Sequence, residues 1–207
     1  SGTYDPVAPW LAGMMGLRSG PGTVAQRAAA DALGIELAVV QTIEAVESSG
    51  RPGAIRFEPH MFHRKATEFG VTDTELAGVP FTRNSENVFS KVASETNRAA
   101  FDRAFAINGS LAIYSSSFGL YQVLGYNFDN YRSDPEGEIA RFSADPEGIS
   151  YELLLKWFNG NPRGLAAAKS KDWVALATNY NGSGNVTKYA PLLAKEYAAI
   201  TGTTATI

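Results

Sequence analysis

The sequence predicts a mainly helical α+β domain carrying one small β-ribbon. Three observations carry that reading. Apolar residues recur three and four positions apart over most of the chain, capping residues stand just before those stretches, and residues 55–58 alternate instead. With 207 residues, 44% apolar and 11% aromatic, the chain can fill a sizeable core. No internal linker is visible, so the expected organisation is an N-terminal arm, residues 1–22, and one domain, residues 23–207.

In chain order, residues 7–17 place apolar side chains at 7, 10, 11 and 14 before Gly20-Pro21-Gly22 ends the element. Thr23 reads as the N-cap of a helix over Val24–Leu33, and Gly34 parts it from the next helix, which runs to Ser48-Ser49-Gly50. Ile55 and Phe57 alternate with Arg56 and Glu58, the ribbon signal. Pro59 opens a helix reaching about Phe69, and residues 70–90 read as polar loop. Helical period returns over residues 91–107, with Val92, Ala99, Phe101 and Phe105 toward the core. Asp134-Pro135-Glu136-Gly137 and Asp145-Pro146-Glu147-Gly148 are two similar helix openers, Asp as cap and Pro in the first turn. Trp157-Phe158, Trp173 and Leu192-Leu193 anchor the last three helices, and all three tryptophans, Trp10 included, read as core anchors. Asn108, Asn181 and Asn185 each begin an N-x-S/T triplet and read as turn residues.

Composition excludes several functions. A net charge of −3 without a Lys/Arg run is no nucleic-acid footprint. Zero cysteines exclude disulfides, thiolate metal sites and cysteine nucleophiles. No apolar run is long enough to cross a bilayer, and the N-terminus lacks a charged region followed by an apolar one. His60 and His63 could share a metal, but no third ligand follows at a recognisable spacing, so no metal or cofactor is expected. A serine hydrolase would need a G-x-S-x-G elbow, which is missing.

Glu47 is the most informative residue. At helical period it shares a face with Val40 and Ile43, while Glu44 points to the polar side. It also falls in the last turn of its helix. Burial and a helix C-terminus both disfavour a carboxylate's charge, and a carboxyl held protonated is what a general acid requires. The plain alternative is a helix-end glutamate whose head turns to water. Two later segments weigh against that alternative. Ser115-Ser116-Ser117 offers hydroxyls, Gly119 allows close backbone approach, and Gln122 carries a donor and an acceptor suited to an acetamido group. Asn179-Tyr180-Asn181-Gly182 is a helix end whose tyrosine ring can pack against a sugar or the acid.

The order E-S-x-G, S-x-S-x-G-x-x-Q and Y-N-G-x-G resembles the lysozyme-like superfamily of goose-type lysozymes and soluble lytic transglycosylases. Within it, the chain is most similar to the N-acetylmuramidase domain of phage endolysins. The motifs are Val46–Gly50, Phe57–Arg64, Ser115–Asn127 and Tyr180–Gly184, and the resemblance spans about residues 24–198. It implies a helical bundle around a glycan cleft, with the ribbon following the catalytic helix. It also implies Glu47 as catalytic acid, with Ser117, Gln122, Asn127, Tyr180 and Asn181 binding the glycan. Three departures bear on substrate fit more than on catalysis. The stretch between Gly50 and Phe57 is short, Phe118 stands where the family has tryptophan, and Pro59 where it has arginine.

The expected activity is hydrolysis of the β-1,4 bond from N-acetylmuramic acid (MurNAc) to N-acetylglucosamine (GlcNAc) in peptidoglycan. Glu58 is the candidate second carboxylate, a general base if the enzyme inverts; its alternative is an ion pair with a nearby arginine. A lytic transglycosylase would need Glu47 alone and yield 1,6-anhydro products. A binding module that has lost catalysis is the non-enzymatic alternative, and the retained Glu47 argues against it. The expected partner is the glycan strand, without nucleic acid or membrane, and the expected state is a monomer. The site of action is the bacterial periplasm and cell wall, reached through phage lysis, a virion or a secretion system.

Overall fold

The computed structural model describes residues 22–83, 89–91 and 96–207. Apart from Gly22, the arm with its expected helix and Trp10 lies outside these residues, as does Val92. The expected mainly helical class holds. Among the described residues there are eleven α-helices, a three-stranded antiparallel sheet and a two-stranded ribbon. By contacts the chain forms two compact units, residues 52–150 and residues 22–51 with 151–207.

The second unit starts with α1 (Val24–Leu33) and α2 (Leu37–Ser48). Thr23 caps α1 as expected: its hydroxyl accepts from Gln26 N at 3.1 Å, and the Gln26 amide oxygen accepts from Thr23 N at 2.9 Å. Gly34 follows in the left-handed region at φ 63°, where a side chain would be strained. The unit resumes within α8 (Pro146–Gly160) and ends with α9 (Pro162–Ser170), α10 (Trp173–Asn181) and α11 (Val186–Thr201). Its core gathers Val39, Val40, Ile43, Leu153, Leu154, Phe158, Leu176 and Leu193.

The first unit holds β1 (Ile55–Phe57), α3 (Pro59–Lys65), a 3-10 turn over Ala66–Phe69 and α4 (Asp73–Leu76). Next come the ribbon β2 (Phe81–Arg83) and β3 (Phe89–Lys91), α5 (Asn97–Ile107) and α6 (Gly109–Tyr114). Then follow β4 (Ser116–Phe118), β5 (Val123–Leu124) and α7 (Pro135–Ala144). β4 is central in the order β1-β4-β5, with Arg56 opposite Ser117 and Phe57 opposite Ser116. The inward residue of β4 is Phe118, fully buried and met edge-on by Phe101, Phe128 and Phe142 at 5.1–5.8 Å.

Three expectations need correction. Residues 70–90 are not all loop: Thr72 and Glu75 form a capping box on α4, and β2 pairs with β3. The helix expected over residues 91–107 is α5, beginning only at Asn97. It buries Ala100, Phe101 and Ala104, while Ala99 is exposed. Phe118 and Pro59, the two substitutions against the family pattern, are both buried, so they belong to packing rather than to a substrate surface. The paired openers at 134 and 145 behave as read. Asp134 and Asp145 accept from Gly137 N at 3.0 Å and Gly148 N at 2.9 Å.

Candidate active site

Glu47 is the penultimate residue of α2, in its last turn, where no basic side chain offsets the carbonyl ends. The chain leaves the helix through two left-handed residues, Ser49 at φ 54° and Gly50 at φ 73°. A serine in that region is held against its preference, at a cost of about 1–2 kcal/mol. Ser48 and Arg51 close the end: Arg51 N donates to Ser48 Oγ at 3.2 Å and Arg51 Nε to Ser48 O at 2.9 Å. One correction applies here. Glu47 is half-buried rather than a core residue, since α2 seals the core with Val39, Val40, Ile43 and Ala45 and turns Glu47 to its margin.

Asn181, the last residue of α10, reaches Glu47 from 134 positions away. Its Nδ2 donates to Glu47 Oε1 at 2.8 Å. Its own Oδ1 is buried with no hydrogen-bond partner, a state that ordinarily costs about 1–3 kcal/mol. Tyr180 precedes it. Burial, and then the nearby Glu47 charge, push the Tyr180 phenol well above its ordinary value, so it stays neutral near pH 7.

The Tyr180 ring meets Trp157 edge-on at a centroid distance of 4.5 Å. Trp157 in turn fits a notch at Gly164, where a Cβ would come within 2.5 Å of the indole. Sequence reasoning missed Trp157 as part of this site. Its neighbour Phe158 is fully buried, which leaves Trp157 half-buried one position round the helix. The adjacency of Trp157 and Phe158, which at about 100° per residue cannot both face the same side of a helix, was the only signal in the sequence.

The structure thus brings Glu47, Tyr180 and Asn181 together, and places Ser117, Gln122, Asn127 and Glu58 in the other compact unit. Ser117 is half-exposed on β4, on the face opposite Ser116 and Phe118. The triple serine divides its work. Ser116 Oγ donates to Ala112 O at 2.8 Å and closes α6, whereas Ser115 Oγ is buried without a partner. Gln122 adopts φ 49°, and its Nε2 donates to Gly119 O at 3.0 Å and Ala54 O at 3.3 Å. Asn127 Nδ2 donates to Leu124 O at 2.9 Å. Both donors of the Gln122 amide and one of the Asn127 amide are therefore committed to the backbone.

Glu58 takes up the ion pair that was its alternative: Arg56 Nε donates to Glu58 Oε1 at 2.9 Å. His60 Nδ1 lies 3.6 Å from Glu58 Oε2. Burial lowers the His60 imidazole below its ordinary value although Glu58 pulls the other way, so near pH 7 this is a contact with a neutral ring. His63 Nε2 bonds Val79 O at 2.5 Å. Among the described residues no three of His, Cys, Asp and Glu gather closely enough to hold a metal ion.

A family model, N-acetylmuramidase, matches residues 36–201. Among solved structures, the Burkholderia AP3 phage endolysin is similar in fold, with a TM-score of 0.62 and 23% sequence identity. The similarity covers 92% of this chain and 75% of that one. No curated protein matches the chain.

Proposed function

The chain belongs to the N-acetylmuramidase family of peptidoglycan-hydrolysing glycosidases, and from that premise we propose that Glu47 is its general acid. The bond cleaved is the β-1,4 link from MurNAc to GlcNAc. The observation that carries the reading is the Asn181–Glu47 hydrogen bond, which joins two motifs of the family at the end of a helix. The Glu47 carboxyl gives its proton to the glycosidic oxygen as the bond to the muramic C1 breaks, so GlcNAc leaves with a neutral 4-hydroxyl. The helix end, which disfavours carboxylate charge, supports that donation. Asn181 holds the carboxyl in place, and neutral Tyr180 offers its hydroxyl and ring edge.

Ser117, Gln122 and Asn127 bind glycan, a role that rests on the motif match. With its nitrogen committed, Gln122 takes part through its amide oxygen, accepting the acetamido N–H. Water then adds to the muramic carbon with Glu58 as base. The Arg56–Glu58 ion pair favours a second reading, in which the muramic 6-hydroxyl attacks C1, gives its proton to the Glu47 carboxylate left by the first step, and forms an anhydro product without Glu58. The site of action is the bacterial cell wall; no described helix is long and apolar enough to cross a membrane.

Lysis of purified Gram-negative cell walls, with mass spectrometry of the products, tests both levels. Glu47→Gln should fold normally and lose at least about a hundredfold in lysis, the lower end of general-acid effects. Activity within a few-fold of wild type removes Glu47 from the mechanism. Free reducing muramic ends with an inactive Glu58→Gln support hydrolysis through Glu58, and anhydro products with an active Glu58→Gln support internal attack.

A further inference from the structure

Beside the Ser115–Asn127 motif, sharing only Tyr126 with it, unit 52–150 carries an aromatic surface with cations set into it. Tyr114 at the end of α6 is its hub: Phe69 lies 5.6 Å from it, Tyr126 5.6 Å and Tyr131 6.2 Å, all tilted. These rings are not core. Phe69, Tyr114 and Tyr131 are half-buried, and Tyr126 is 42% exposed, the only aromatic among the exposed large apolar side chains of the described residues. Arg132 lies over Phe69 at 4.2 Å and over Tyr131 at 5.6 Å, and Lys65 lies over Tyr114 at 5.7 Å. Both cations share one carboxylate, Glu68, at 2.7 Å for Arg132 and 2.9 Å for Lys65. Arg132 Nε also bonds the Tyr131 hydroxyl at 3.1 Å.

Two features distinguish this patch from a satellite core. Two cations against one anion leave a net positive charge, in a chain whose total is −3. The arginine is held by two rings, a hydroxyl and a carboxylate, so binding costs it little conformational freedom. Rigid, part-exposed tyrosines present flat apolar faces with a polar rim, which suits the C–H faces of pyranose rings, while fixed cations suit carboxylates.

We infer that the Tyr114–Tyr126 face with Lys65 and Arg132 is a second glycan-binding surface, taking a peptidoglycan strand by its sugar faces and its stem-peptide carboxylates. The choice of strand rests on the muramidase reading; the aromatic and cationic chemistry does not. The surface holds the polymer and takes no part in bond cleavage.

The test is sedimentation of full-length Glu47→Gln protein with purified Gram-negative sacculi, which binding cannot then be confused with digestion. Adding Tyr126→Ala should weaken binding about two- to tenfold, the range for one aromatic contact. Tyr126→Phe, which keeps the ring, should restore it. Lys65→Gln should weaken binding to sacculi while leaving binding to neutral chitooligosaccharide unchanged, which isolates the carboxylate component. Sedimentation of the Tyr126→Ala protein as tight as its parent overturns the inference, as does failure of the Glu47→Gln parent to bind sacculi that the wild type digests. If the wild type digests nothing yet Tyr126-dependent sedimentation persists, the muramidase reading falls and this surface stands.

Discussion

Replacing Gly119 with alanine probes the most constrained point of the motif containing Gln122. Gly119 sits at φ 76°, where an alanine costs about 1–2 kcal/mol. Its new Cβ would also lie 2.0 Å from Ser150 Oγ and 3.0 Å from Ser150 Cβ, so the serine must move. That hydroxyl is the buried acceptor for Leu120 N at 3.0 Å, and itself donates to Pro146 O at 2.6 Å. Stranding the Leu120 amide adds about 1–3 kcal/mol. The sum is about 2–5 kcal/mol, read by urea unfolding, with loss of hydrogen-exchange protection at the Leu120 amide. The double variant Gly119→Ala/Ser150→Ala separates the two causes. Ser150→Ala has already removed the acceptor and the worst clash, so the double should cost less than the two singles together. A Gly119→Ala penalty under about 0.5 kcal/mol, or strict additivity in the double, would refute the reasoning.

Asn181→Ala removes the bond to Glu47 Oε1, and since a bond to a neutral carboxyl is worth about 0.5–1.5 kcal/mol, turnover in a lysis assay should fall about two- to tenfold with little change in melting. Gly164→Ala forces the Trp157 indole from its notch, at about 1–3 kcal/mol in thermal unfolding, with a change in the near-ultraviolet dichroism of the Trp157–Tyr180 pair. Tyr197 ionises at about 12, raised first by burial and then by its bond to Glu36. A raised acid favours its protonated form, so its stabilising effect is complete below about pH 10 and disappears by about pH 12; an absorbance titration that includes Glu36→Gln, which should lower this midpoint, checks it. Treatment with EDTA should leave lysis intact, and loss restored by zinc would return His60 and His63 to consideration as ligands.

What the sequence determined by itself was whatever is written in residues three or four apart. Thr23, Asp134 and Asp145 cap the helices assigned to them because a cap bonds a backbone amide three positions on. The alternation of Ile55 and Phe57 marked β1, and the Ser48-Ser49-Gly50 stop placed Glu47 in the last turn of α2. Where the signal was local but weak, it misled. Residues 70–90 are polar enough to pass for loop, yet a capping box and a strand pairing are made within them.

Tertiary structure decided everything that depends on distant partners. Periodicity placed Glu47 with Val40 and Ile43, but α2 packs against α1 and α11 with Val39, Val40, Ile43 and Ala45 buried, which left Glu47 half-buried. No spacing rule could have paired it with Asn181, whose side chain arrives on another helix after 134 residues. Ser116 and Gln122 look like free polar groups in one dimension. In three, their donors are taken by carbonyls that the chain must satisfy before any ligand arrives, as buried backbone oxygens demand. The same holds for Arg56 and Glu58: alternation put them on one strand edge, and only the folded geometry joined them as an ion pair.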